Sequence, residues 1–238
     1  WGIEATERLD RASDQDADHI ALASLCRAYG NALLRAGHTG MADAALKRSL
    51  KLFQDAGQIR SVAIVKSDLG DILVQRGDLA GAQTNYEEYL RIMREVGDPR
   101  SEGVALSLLG DILVQRGDLA GAQTNYEEYL RIMREVGDTR GEGVALFNIG
   151  QVAEAREQWD VAEHWYRLGL AIVREADDAL NEARASEMLA GLLLEHRPQS
   201  SDGCALLQRA ITLYHQMELP DEERARETAL RLGCATTA

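Results

Sequence analysis

Apolar residues return along most of this chain at steps of three and four. Between Leu79 and Val96 they are Ala82, Tyr86, Tyr89, Leu90, Met93 and Val96, with polar and charged residues filling the gaps. That spacing places them on one face of a helix. Ala105, Leu106, Leu109, Ile112 and Leu113 repeat the pattern in the next stretch. The runs are separated by Gly77-Asp78 and Gly97-Asp98. Glycine just past a helix end accepts the left-handed conformation, and an aspartate after it caps the following helix. Pro99 then stands at a first helical position, where no amide donor is needed. The pattern predicts helix–turn–helix hairpins in series.

The series is a repeat. Leu69–Asp98 recurs letter for letter at Leu109–Asp138, and extending the comparison to Ser67–Leu106 against Ser107–Leu146 leaves differences only at Asp68/Leu108, Pro99/Thr139 and Ser101/Gly141. Gly30, Gly70, Gly110 and Gly150 stand 40 residues apart, with Ala190 in the next place. A period of this length decides the architecture before any other clue. The units expected are 18–56, 58–96, 99–136, 139–176 and 178–217. Residues 1–13 read as the remnant second helix of an earlier unit. Residues 220–234 read as a polar-backed capping helix with Ala225, Ala229, Leu230 and Leu232 on its apolar side. Asp14–Asp18 reads as a loop with capping aspartates. A calcium loop there would need glycine at His19 and glutamate at Leu25, so that motif fails twice.

Leu69-Gly70 with Leu73, Ala82 and Tyr86 resembles the signature of the tetratricopeptide repeat, Leu-Gly in the first helix and Ala plus an aromatic in the second. Leu109-Gly110 with Ala122 and Tyr126, and Ile149-Gly150 with Ala162 and Tyr166, match likewise, and Tyr29-Gly30 with Ala42 matches in part. The common unit has about 34 residues. This longer one is similar to the 40-residue subclass found in bacterial signal-transducing NTPases, transcriptional regulators and peptide-binding adaptors. The resemblance implies an all-α fold, a right-handed α-α superhelix of about five hairpins closed by the capping helix.

Composition narrows the partners. The net charge of −13 over 238 residues argues against nucleic-acid phosphates and anionic membranes. No apolar run approaches a membrane span and no signal peptide is visible. Cys26, Cys204 and Cys234 are odd in number and scattered, which suggests reduced thiols and a cytoplasmic location. A first residue of Trp1 rather than methionine suggests an excised segment of something longer. Oligomeric state is not encoded in any of these features.

Catalytic chemistry is missing from the pattern. The five histidines have no ligand spacing with one another or with the cysteines, and no glycine loop is built to cradle phosphate. No metal site, cofactor or enzymatic activity is expected. Binding has more to work with. In tetratricopeptide arrays the residue after the signature glycine points into a concave groove, and here that position holds Asn31, Asp71, Asp111 and Gln151. One turn before stand Arg27, Ser67, Ser107 and Phe147, and one turn after stand Arg35, Gln75 and Gln115. These residues are the candidate peptide-binding groove. It is expected to be basic at its start, polar to acidic in the middle and acidic at its end, where Glu154, Glu187 and Glu195 fall. The resemblance implies a protein or peptide partner, which another domain of the same polypeptide could supply, and the carboxylates of Asp71 and Asp111 call for basic residues over them. A small-molecule sensor around Phe147, Trp159 and Trp165, and an architectural or self-assembling array, stay open as alternatives.

Overall fold

A computed structural model describes the backbone of residues 2–234 and the side chains of residues 18–234. Eleven helices and no strand occur among the described residues: α1 Gly2–Arg35, α2 Thr39–Asp55, α3 Ile59–Gln75, α4 Leu79–Val96, α5 Pro99–Gln115, α6 Leu119–Val136, α7 Thr139–Ala155, α8 Trp159–Glu175, α9 Ala179–His196, α10 Ser201–Gln216 and α11 Asp221–Arg231. The chain divides into two compact units, 1–112 and 113–238, with the division inside α5. No described helix is long and apolar enough to cross a membrane.

Helix ends fall where the Gly-Asp punctuation puts them. Asp78 accepts a hydrogen bond from the Gly81 amide at 2.9 Å, and Asp138 accepts one from Gly141 at 2.9 Å. Each satisfies a first-turn donor that the helix itself leaves unpaired. Gly97 closes α4 with φ 68°, and the Asp98 amide reaches back to the Met93 carbonyl at 2.9 Å. Residues with a Cβ pay for that conformation, so glycine serves here. Arg60 then pairs with Asp98, and Arg140 pairs with Asp178 at 2.6 Å, each from a helix one hairpin earlier. The cap aspartates therefore also tie neighbouring hairpins together.

One boundary needs correction. α1 runs unbroken through Asp14–Asp18, where a loop is expected from the acidic run. No glycine or proline stands between Gly2 and Gly30, so nothing in that stretch breaks a helix. The remnant-helix reading of residues 1–13 concerns side chains outside the described residues.

In the first unit α1 packs on α2, α3 on α4, and α2 on α3. The signature residues meet at the hairpin crossings. A Cβ on Gly70 would lie 2.4 Å from the ring of Tyr86, which is 2% exposed. Bare backbone at Gly70 is what lets the ring approach α3 so closely. In the first hairpin Leu46 takes the place of the aromatic against Gly30. The second unit holds α7 on α8, α9 on α10 and α11 on α10, around one core that includes Tyr166, Leu189, Leu193, Leu207 and Tyr214. Cys204 of α10 and Cys234 after α11 form a disulfide with their Cα atoms 5.4 Å apart. Two of the three thiols expected to be reduced are thus joined. Their separation of 30 residues hid a pair that α11 folds into contact.

Candidate binding faces of the hairpins

The first unit carries a carboxylate on a fixed support. Asp71, one residue past Gly70, is half-buried on α3 and accepts a hydrogen bond from the Tyr86 hydroxyl at 2.7 Å. Burial pushes the Asp71 carboxyl above its ordinary value, the Tyr86 hydrogen bond pulls it back, and nearby Asp68 adds to the rise. Burial and the charges of Asp71 and Asp111 in turn raise the Tyr86 phenol well above its usual range. Two carboxylates therefore act on one phenol, within one unit. An ionised carboxylate accepts about four hydrogen bonds, so the phenol uses only part of Asp71.

The other candidate groove residues of this unit sort by what they touch. Arg27 is not an open cation: its guanidinium pairs with Asp68 at 2.5 Å and joins α1 to α3. Gln75 accepts from Thr39 at 3.3 Å and is exposed. Asn31 and Ser67 are half-buried, as is Ser107, while Arg35 and Asp111 are exposed. The basic start predicted for the groove is reduced to Arg35.

In the second unit Gln115 and Gln151 are exposed on α5 and α7. Phe147 is not a groove residue. It is 6% exposed, and its ring fills the space where Gly169 lacks a Cβ. The sequence offered a signal for this in Gly169, a glycine in mid-helix on the facing element. Trp159 is 37% exposed and lies against His196 with ring centroids 4.0 Å apart.

Of the acidic residues expected at the end of the groove, Glu195 is exposed and the other two have partners. Glu154 accepts from the buried Tyr166 hydroxyl. Glu187 accepts from the Tyr214 hydroxyl at 2.9 Å and pairs with Arg224 at 2.8 Å. Tyrosine hydroxyls from the second helices thus bind carboxylates of the first helices in both units. Sequence reasoning missed Tyr214 and Glu187 as partners, since they lie on different helices with no motif linking them. No three His, Cys, Asp or Glu side chains among the described residues gather as a metal site.

Residues 61–135 match the family model for the tetratricopeptide repeat. Among solved structures, the Rap protein complexed with competence and sporulation factor matches 83% of this chain and 55% of its own, with TM-score 0.74 and 13% identity. The Rap conjugation gene regulator of plasmid pLS20, solved with a Phr peptide, matches 87% and 57%, with TM-score 0.74 and 13% identity. A signal transduction ATPase with numerous domains from Pyrococcus horikoshii, bearing a tetratricopeptide repeat sensor, matches 89% and 36%, with TM-score 0.61 and 15% identity. The likeness is one of fold, and this chain spans little more than half of either Rap protein and about a third of the ATPase. The sequence has no significant match among curated proteins.

Proposed function

We propose that this chain, whose residues 61–135 match the tetratricopeptide repeat, is a protein-interaction scaffold that holds a peptide or helical segment by the first-helix face of its first unit. The observation that carries this is the Asp71 carboxylate, half-buried and braced by the Tyr86 hydroxyl, a phenol that also feels the charge of Asp111. Such a support costs free energy to maintain, and a cationic partner offsets it. The partner is therefore a segment bearing lysine or arginine. The chain works by binding rather than by catalysis.

We place it as the sensor or regulatory part of a larger bacterial-type regulator, acting in the cytoplasm. Support comes from similar folds: one similar Rap structure holds the competence and sporulation factor, another holds a Phr peptide, and the similar ATPase bears a tetratricopeptide repeat sensor. Under a cytoplasmic poise the Cys204–Cys234 pair would be open to reduction.

The test is a binding titration with a labelled lysine-rich peptide against two double variants. Asp71→Ala with Asp111→Ala should weaken binding by about 1–3 kcal/mol, at the lower end where solvent screens the pair. Glu87→Ala with Glu127→Ala removes the same charge from second helices and should change little. Equal small effects from both doubles would show that charge alone, and not this face, attracts the peptide.

A further inference from the structure

The second unit contains a cleft that the reading above does not use. It lies between α9 and α11, has a volume of about 570 Å³, and is lined on one side by Arg184, Glu187, Met188 and Gly191. The opposite wall is Asp221, Arg224, Thr228 and Arg231. These are steps of three and four on each helix, so two helical stripes face each other across the opening.

Its charge runs against the protein's. Both acidic residues of the lining are already taken up by one cation: Arg224 pairs with Glu187 at 2.8 Å and with Asp221 at 3.0 Å. Glu187 is further engaged by the Tyr214 hydroxyl at 2.9 Å. Arg184 and Arg231 are exposed and have no acidic partner among the described residues. On a chain carrying −13 overall, two uncompensated guanidinium groups in one concavity mark a place where negative charge is wanted. Gly191 leaves its part of that wall open, with nothing within 4 Å of where its Cβ would be. Met188 gives that wall an apolar strip on which the stem of a longer side chain can lie.

We propose that this cleft binds an acidic peptide segment, its carboxylates received by Arg184 and Arg231 and its aliphatic stems laid over Met188. Arginine suits the task because its planar fork meets a carboxylate with two parallel hydrogen bonds. Arg224 is a positioning residue here. By holding Glu187 and Asp221 it keeps both from competing with the ligand for the two free arginines. The site is separate in residues and in sign from the Asp71 face, so either can fail without the other.

The experiment uses the full chain and a fluorescein-labelled peptide rich in glutamate, with its glutamine counterpart, read by anisotropy at low and at physiological salt. The glutamate peptide should bind and weaken with salt, and the glutamine peptide should not bind. Arg184→Gln with Arg231→Gln should weaken binding about tenfold. Arg48→Gln with Lys51→Gln, two exposed cations of α2 outside the cleft, removes the same charge and should leave it within about twofold. All four positions are exposed, and circular dichroism checks that the variants fold. The proposal is overturned by no binding of the glutamate peptide, by equal losses in the two doubles, or by a labelled oligonucleotide binding where the glutamate peptide does not.

Discussion

The hydroxyl of Tyr86 donates to the carboxylate of Asp71 at 2.7 Å, so the aromatic that fills the hairpin also holds the acid on the face proposed to bind. Burial raises the Asp71 carboxyl, which means the folded state binds its proton more tightly than the unfolded chain does. Stability from this group is therefore full at low pH and declines as pH rises through the folded value. Asp71→Asn keeps an acceptor for Tyr86 and removes the buried charge. The variant should be as stable as the parent or more so at pH 7, with the difference vanishing below about pH 4. Urea denaturation at the two pH values measures it, and a loss of stability at pH 7 alone would refute the role given to burial.

Two helical glycines should respond to alanine with opposite sign. Gly70→Ala gains about 0.5–1 kcal/mol of helix propensity but drives a methyl to 2.4 Å from the Tyr86 ring. That ring is buried and anchored by its hydroxyl, so it cannot swing aside. Overpacking of this kind costs about 1–3 kcal/mol, and the net change should be destabilising. Gly191→Ala meets nothing within 4 Å and should stabilise by about 0.5–1 kcal/mol. Melting temperatures moving in the same direction for both would contradict the packing at Gly70.

Helix ends and faces were legible because they are local. Asp78 caps three residues on, and the repeat of Gly-Asp fixes where each hairpin turns. The period also shows which positions share a face, and so finds Asp71 and Tyr86. It does not show that they touch, since they lie 15 residues apart on two helices whose approach depends on Gly70. Arg27 was read as a groove cation for the same reason: Asp68, its partner, is 41 residues away on α3. Phe147 falls in the groove by register alone, one turn before Gln151, whereas Gly169 opens room for it in the core. Asp14–Asp18 misled in the other direction. Acidity suggested a loop, but without a breaker the helix continues.

The disulfide predicts a redox-dependent end to the chain. Cys204 and Cys234 close a loop of 30 residues that includes most of α10 and all of α11. Loop-closure entropy for that length corresponds to about 3–4 kcal/mol in the chain-entropy account. α11 buries only Ala225 and Ala229, so beside its ion pairs the disulfide is a large share of what holds it. Reduction should lower the melting temperature and speed amide exchange in α11 before other helices respond. Alkylation of the denatured chain without reductant should label Cys26 alone, and labelling of all three residues would show the pair open.

Glu182 should govern acid stability in the second unit. It is 8% exposed at the start of α9 and receives Arg174 at 2.9 Å and Arg209 at 3.0 Å. The Arg209 hydrogen bond, against the cost of burial and with help from Arg174, holds its carboxyl below the ordinary glutamate value. A depressed carboxyl contributes stability that is complete above the unfolded value and is lost as pH falls through the folded one. The parent should therefore weaken between about pH 5 and pH 3 by an amount that Glu182→Gln lacks. At pH 7 the variant should be less stable by about 1–3 kcal/mol, because two charge-assisted hydrogen bonds become neutral ones. Arg209→Gln removes the larger of the two supports and should reproduce most of that loss, while Arg174→Gln should reproduce less. Denaturation midpoints for the three variants across that pH range decide it, and a Glu182→Gln curve parallel to the parent's at every pH would show that some other carboxylate carries the acid transition.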